Sequence, residues 1–493
     1  MNELLEKLKH GVDDFDNFKS AYFYFLKSLK RYSKESSFRM IGSFVSAQMQ
    51  VSSGIEKISE FSRIYGIFPW NFERLISLIY VSEQDNLSHR KDISLCNKEF
   101  KRLLRKFNDT MCITFKGNYS PANILALLLD NQIKYQENLL FKLFLYDNLF
   151  NQSAELRGKY EIKYGQQFHL TIIYLFLMIG YVNVFYPEKS SQIVMNLLNK
   201  NKNLFDDSKI ELNDLIEEQK NILVKWDYDF INCPIVIEWK PIIVDNNNYY
   251  LTSVMNLVES TYNGYINSLT KGGNENGNIV GKAYEKLFHF YFLNYKFKDE
   301  KNIGMNVLYN KKELFDIVIS KGEYLLGIDS KSFIIFSGAH TIDKSKVALN
   351  ELVDKVIQRI KVIDFIKNNK ISFFGKDFNI ENIFSIIAVR DNCNIFKQEY
   401  LDLVKDRLGK LHLENYYDYV NKNLIVVSHV ELLQLIIDNV DIIQEMKSMK
   451  EENRYLNAFR PSNRNPDKEN MFTSWKENII KEIETLIKTG KLE

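Results

Sequence analysis

Leu314-Phe-Asp-Ile-Val-Ile-Ser-Lys-Gly-Glu-Tyr-Leu-Leu-Gly-Ile-Asp-Ser-Lys-Ser-Phe333 is the stretch that decides how this chain folds. Two apolar runs flank Lys321-Gly322, the pattern of a β-hairpin. A turn centred between Gly322 and Glu323 sets Asp316 directly opposite Asp329, and such pairs bring Cβ atoms to about 4.5–5.5 Å. Two carboxylates that close repel unless a cation lies between them or one holds a proton. Aspartate is also depleted in strands. Two aspartates inside apolar strands therefore need a reason, and a divalent cation supplies one. Donors that are all oxygen suit Mg²⁺ or Mn²⁺. Lys331 stands two residues after Asp329, so both leave the same strand face. An ammonium there can hold an attacking water or steady charge on a phosphate.

Working outward, strands are predicted near 303–309, 313–320 and 324–336, and near 381–390 (ENIFSIIAVR) and 422–428 (KNLIVVS). Helices are predicted from Ile279 to about Tyr295, carrying Glu285, from about Lys344 to Asn368, and near 394–408. Lys271 to Asn278 (KGGNENGN) reads as a loop by composition. His429 is expected to cap the helix after the last strand. Strands alternating with helices imply a mixed α/β sheet.

These residues resemble the PD-(D/E)XK nuclease superfamily, the restriction-endonuclease-like fold. In that family an acidic residue on a core helix precedes a hairpin bearing Asp and then Asp/Glu-x-Lys. Gly281-Lys-Ala-Tyr-Glu285 resembles the helix, Asp316 the first motif aspartate, and Ile328-Asp329-Ser330-Lys331 the second motif. Phe315 stands where the family's name has proline. The resemblance spans roughly residues 230–445. It implies that Asp316, Asp329 and the Ser330 carbonyl hold Mg²⁺ or Mn²⁺ and that Lys331 orients the attacking water. Glu285 would bind a second metal or act through water, and Gln358 would face the site from the following helix. The implied activity is that of a Mg²⁺-dependent endodeoxyribonuclease.

Asp/Glu-x-Lys alone is frequent in this chain; Ile237-Glu238-Trp239-Lys240, on a predicted strand with Asp227 and Asp229 upstream, is the main rival. Arg407 and His412 have the Arg-x4-His spacing of a helical ribonuclease family, but a surface helix end accounts for them. His340 lies just beyond the hairpin, where it is either a phosphate contact or a plain loop residue. No P-loop or dinucleotide-binding glycine pattern is present.

Residues 1–225 read as a helical recognition, regulatory or assembly domain, 226–447 as the nuclease-like domain and 448–493 as a loop and amphipathic helix. The fold class is thus α+β and multidomain. Cys233 to Asp245 and Asn246 to Ser253 read as two strands joined by an Asn-rich turn. Within the basic stretch His89 to Lys106, Lys98, Arg102 and Arg105 share a helix face, either solvated or set against phosphates or an acidic partner. With a net charge of only +2, nucleic acid must be held by local patches. Phe168 to Tyr186 lacks Asp, Glu, Lys and Arg, but its His, Asn and three tyrosines favour a buried core helix over a membrane span. The four dispersed cysteines suit reduced thiols in a cytoplasm.

A helical half without a motor motif, fused to such a domain, resembles a bacterial anti-phage defence or restriction effector. The expected partner is nucleic acid, DNA first, with a second copy of the chain or another defence protein alongside. The rival reading is a non-catalytic nucleic-acid- or protein-binding scaffold on a degenerate nuclease fold.

Overall fold

A computed structural model describes residues 17–32, 66–67, 69–82, 98–111, 139–184, 205–226, 233–246, 248–270, 274–294, 302–331, 342–390, 397–451 and 471–489. The chain is α+β, with one three-stranded and one five-stranded sheet among the described residues. It divides into two compact units, residues 1–143 with 160–271, and residues 144–159 with 272–493.

The first unit contains helices α1 (Phe18–Leu29), α2 (Pro69–Ser82) and α3 (Lys98–Thr110). Helix α1 starts where the Asn17 side chain accepts the Ser20 N–H. It buries Phe18, Ala21, Tyr22, Phe25 and Leu29, an apolar stripe at helical spacing. Phe25 meets Phe107 of α3 edge to face at 5.0 Å between ring centres. On α3, Lys98, Arg102 and Arg105 are exposed while Phe100, Leu103, Leu104 and Phe107 are buried. The basic face is thus the solvent side of an amphipathic helix.

Helix α4 (Leu139–Gln152) and helix α5 (Ala154–Tyr164) carry the chain across the division between units. In α6 (Phe168–Val184), Phe168, Ile172, Ile173, Leu175 and Leu177 are buried, as a core helix requires. Among the described residues, no helix is long and apolar enough to cross a membrane.

Strand β1 (Lys209–Glu211), helix α7 (Leu212–Lys225), strands β2 (Ile242–Asp245) and β3 (Asn248–Leu251), and helix α8 (Val254–Thr270) complete this unit. β2 runs parallel to β1 and antiparallel to β3. The chain turns at Asn246, whose φ of 49° suits asparagine.

The predicted strand over 233–245 is only partly formed. Val236–Glu238 is a 3₁₀ turn between Pro234 and Pro241. The buried Gln219 fixes it, accepting the Val236 N–H at 2.8 Å and donating to the Pro234 carbonyl at 3.1 Å. These contacts, and the Arg74 bond to the Cys233 carbonyl, tie residues 233–236 to α2 and α7 within the first unit. Glu238 therefore does not share a strand with Lys240, which donates to the Asp207 carbonyl.

The second unit is built on β4 (Asn302–Tyr309), β5 (Lys312–Lys321), β6 (Tyr324–Lys331), β7 (Ile383–Val389) and β8 (Leu424–Ser428), adjacent in that order. β4, β5 and β6 form an antiparallel meander, and β7 and β8 add in parallel. Parallel neighbours need crossovers. The helix Ile342–Asn368 connects β6 to β7, and helices α11 (Lys397–Lys410) and α12 (Tyr417–Asn423) connect β7 to β8. Helix α9 (Asn274–Asn294) precedes the sheet and α10 spans Ile342–Asn368. The polar run predicted as a loop thus already forms the first turn of α9 from Asn274.

All seven residues of β7 are buried, as expected of a strand covered on both faces. Leu352, Val353, Val356, Ile360 and Ile363 of α10 pack with Val318, Leu325, Ile383 and Ile387 of the sheet. Helix α9 buries Tyr284, Leu287, Phe288 and Tyr291. Its Tyr284 ring lies 3.7 Å from that of His429, the first residue of helix α13 (His429–Ile437). Ser428, not His429, caps α13, in a capping box with Glu431.

Helix α14 (Ile442–Glu451) follows, and α15 (Met471–Thr489) closes the described chain. α15 packs on the body of this unit. Trp475 donates to Asp147 of α4 at 2.7 Å and packs edge to face on Phe144.

Candidate active site

The hairpin turns at Gly322-Glu323 with Lys321 paired to Tyr324. Gly322 has φ 60° and Glu323 does not have positive φ, the pattern of a type II′ turn with glycine first. The register runs from there to Ile317 opposite Ile328, where the pairing ends; next along, the Asp316 carboxylate takes the Ser330 N–H. Between β4 and β5 the register shifts by one residue, from Val307 opposite Phe315 to Leu308 opposite Glu313. Leu314 is the extra residue, so the bulge lies two residues before Asp316. Gly327 leaves room for Phe315: a Cβ there would fall 1.8 Å from the Phe315 ring.

Asp316 and Asp329 are both buried, and each has its own partners. The Asp316 carboxylate accepts the Ser330 N–H at 2.6 Å and stands 4.0 Å from Lys331 Nζ. Asp329 forms a buried ion pair with Arg359 of α10. Arg359 also donates to the Leu314 carbonyl at the bulge, and its guanidinium lies 4.4 Å from the centre of the Phe315 ring. Burial lowers the Arg359 pKa to about 10, against the pull of Asp316 and Glu313.

Gln358, in contrast, is exposed. It belongs with Glu351, Asp354 and Lys361 on the solvent stripe of α10, whereas Arg359 falls in phase with the buried Leu352, Val356 and Ile363. The helix position that faces the site is therefore 359, one residue on from the expected one.

Glu285 of α9 reaches the same cluster. Its carboxyl is pushed up to about 7, first by burial and then by the nearby charges of Asp316 and Glu313, with Lys331 and Lys282 opposing. Glu313 was not foreseen. It lies on the exposed start of β5, and its carboxyl is raised by partial burial and by the nearby Asp316 charge. Glu285, Glu313, Asp316 and Asp329 thus stand against Lys331, Lys282 and Arg359, which leaves acid in excess if all are ionised.

Ser330 also ties the site to the opposite face of the sheet. Its hydroxyl lies 3.0 Å from His429 Nε2. His429 is fully buried, and burial with the Arg390 charge holds its pKa well below the ordinary range, so it is a neutral support for Ser330. The remaining candidates lie elsewhere. Arg407 pairs with Asp354 at 3.4 Å and His412 sits in the turn after α11, a surface helix end. His340 lies outside the described residues.

The donors fit a hard divalent cation in chemistry, being oxygen throughout. Their present arrangement is not a finished cage: among the described residues, no three His, Cys, Asp or Glu side chains are grouped closely enough to hold a metal. Binding one requires the carboxylates to re-aim, Asp329 away from Arg359 above all.

The raised Glu285 pKa carries a pH prediction. Ordinary carboxyls of this type titrate near 4.5, so between 4.5 and about 7 the folded chain holds a proton that the unfolded chain has released. The associated stability is complete below 4.5 and lost as pH rises through about 7. Glu285→Gln in chelator should therefore flatten the fall in melting temperature between pH 5 and pH 8, measured against the unmutated chain. An unchanged slope would place Glu285 outside the cluster.

Compared with protein-family models, curated proteins and solved structures, the chain matches none of them.

Proposed function

We propose that the second unit is a Mg²⁺- or Mn²⁺-dependent phosphodiester hydrolase acting on nucleic acid, with DNA the first substrate to test. The observation that carries this reading is the gathering of Asp316, Lys331, Glu285 and Asp329 at one end of a buried hairpin, with acid in excess. The element order adds support: an acid-bearing helix, a hairpin, then two parallel strands joined by helices. That order resembles the PD-(D/E)XK nuclease core.

Asp316, Asp329, Glu285 and the Ser330 carbonyl would hold the cation, which when bound supplies Lewis-acid stabilisation of a phosphate and a lowered pKa for water. Ser330 fixes the direction of the Asp316 carboxylate through its N–H. Lys331 is partly exposed and can place its ammonium on an incoming phosphate oxygen or on the attacking water. Where Glu285 does not hold the cation it would act through water; in the metal-free chain burial and neighbouring acids push its carboxyl up to about 7. The helical first unit would serve recognition, regulation or assembly. An anti-phage defence or restriction role, with a second copy or another protein as partner, rests on resemblance alone.

The test is incubation with labelled linear and circular duplex DNA, single-stranded DNA and RNA, in Mg²⁺ and in chelator. Cleavage of at least one substrate in Mg²⁺ alone is expected. One observation favours a second reading, a non-catalytic scaffold: Asp329 and Arg359 satisfy each other in the buried site. A scaffold would leave every substrate intact in both conditions.

A further inference from the structure

Arg359 is held by more of the site than any single ion pair needs. Its guanidinium pairs with Asp329 on β6, donates to the Leu314 carbonyl on β5 and stacks over Phe315. It therefore joins the two strands of the hairpin immediately beside Asp316. It is also buried, on the same helical stripe as the core residues of α10. A buried carboxylate such as Asp329 is tolerated only beside a counter-charge. Arg359 supplies it from the side of the sheet to which Asp329 projects. Its Nε–H has no hydrogen-bond partner, so the fork is not fully committed to its present position.

We propose that Arg359 is the site's resident counter-ion: it holds Asp329 when no metal is bound and gives that carboxylate up to the divalent cation. The proposal rests on the metal-site reading above and adds a positioning residue to it. In the exchanged state, the Leu314 carbonyl and the Phe315 ring still retain the guanidinium. Asp316 stays fixed by Ser330 throughout. The exchange makes Arg359 a competitor of the metal, so weakening Arg359 should strengthen metal binding. A merely structural arginine would do the reverse, since damage to the hairpin can only loosen a site built on it.

Two variants test this. Lysine keeps the charge but lacks the planar fork that serves Asp329 and Leu314 together. Arg359→Lys should bind Mn²⁺ about tenfold more tightly than the unmutated chain by calorimetry, a difference well within the range of lost charge-pair strength. Arg359→Met leaves Asp329 without its counter-ion, so its melting temperature in chelator should fall. Added Mn²⁺ should then raise it by more than it raises that of the unmutated chain. If Arg359→Met does not fold, the Arg359→Lys titration decides alone. Equal or weaker Mn²⁺ affinity in Arg359→Lys overturns the exchange while leaving the metal site standing. Absence of Mn²⁺ binding to the unmutated chain is the distinct result that removes the metal-site reading itself.

Discussion

Lys331→Ala should cut Mg²⁺-dependent DNA cleavage by about 10²–10³-fold, the usual cost of removing one group aimed at transition-state charge. Fold stability should barely change. Lys331 is the last residue of β6, its side chain is 32% exposed, and its approach to Asp316 is 4.0 Å. Pairs of that kind contribute at most about 1 kcal/mol. The informative comparison is therefore cleavage rate against melting temperature in the same preparation. A large fall in rate with an unmoved melting temperature assigns Lys331 to chemistry. Equal rates in Lys331→Ala and the unmutated chain would remove the ammonium from the mechanism, whatever becomes of the metal.

Gly327→Ala should be the most damaging single methyl in the second unit. The added Cβ would lie 1.8 Å from one Phe315 ring carbon and 2.1 Å from another, where no real contact can stand. Phe315 is itself fully buried, with the Phe373 ring beside it and the guanidinium of Arg359 over its ring. The ring has to leave, and overpacking of this severity costs about 3 kcal/mol. That corresponds to a melting temperature lower by roughly 6–12 °C for a domain of this size. Cleavage should fall as well, because Phe315 precedes Asp316 and lies beside the bulge that aims it. Thermal unfolding of Gly327→Ala, alone and combined with Phe315→Leu, checks the cause: the smaller side chain should recover part of the loss. A melting temperature equal to that of the unmutated chain would mean that Phe315 does not occupy the space over Gly327.

Much of the second unit was legible because its signals are local. The glycine at 322 dictates the turn, the turn dictates the register, and the register pairs the strands as far as Ile317 and Ile328. Likewise, the apolar runs 383–389 and 424–428 have no reading other than buried strands once helices flank them. What was missed depends on contacts far apart in sequence. Gln358 came from the resemblance, whereas the phase of Leu352, Val356 and Ile363 points to Arg359. Glu313 escaped because nothing in the local sequence announces the bulge at Leu314 that lies between it and Asp316. The first part of the strand expected over 233–245 gave way to a 3₁₀ turn held by Gln219, a buried polar residue whose partners no periodicity announces. The same holds for His429, which looked like a helix cap and is instead a buried neighbour of Ser330.

These cases share a physical cause. Turn geometry and amphipathic phase are encoded within a few residues, whereas a buried polar group is explained only by whatever the fold brings to it. The pairing of Asp329 with Arg359 is of the second kind, since it joins β6 to the middle of α10. It alters the reading of the site more than any other contact, because it provides the aspartate with a cation before any metal arrives.

The central claim is that the hairpin acids gather around one divalent ion. Titration with Mn²⁺, followed by the loss of the free-ion paramagnetic resonance signal, measures this directly on the unmutated chain and on Asp316→Ala. The expected result is one bound Mn²⁺ per chain, abolished in Asp316→Ala with the melting temperature in chelator preserved. Binding that is absent from the unmutated chain, or equal in the two proteins, would contradict it.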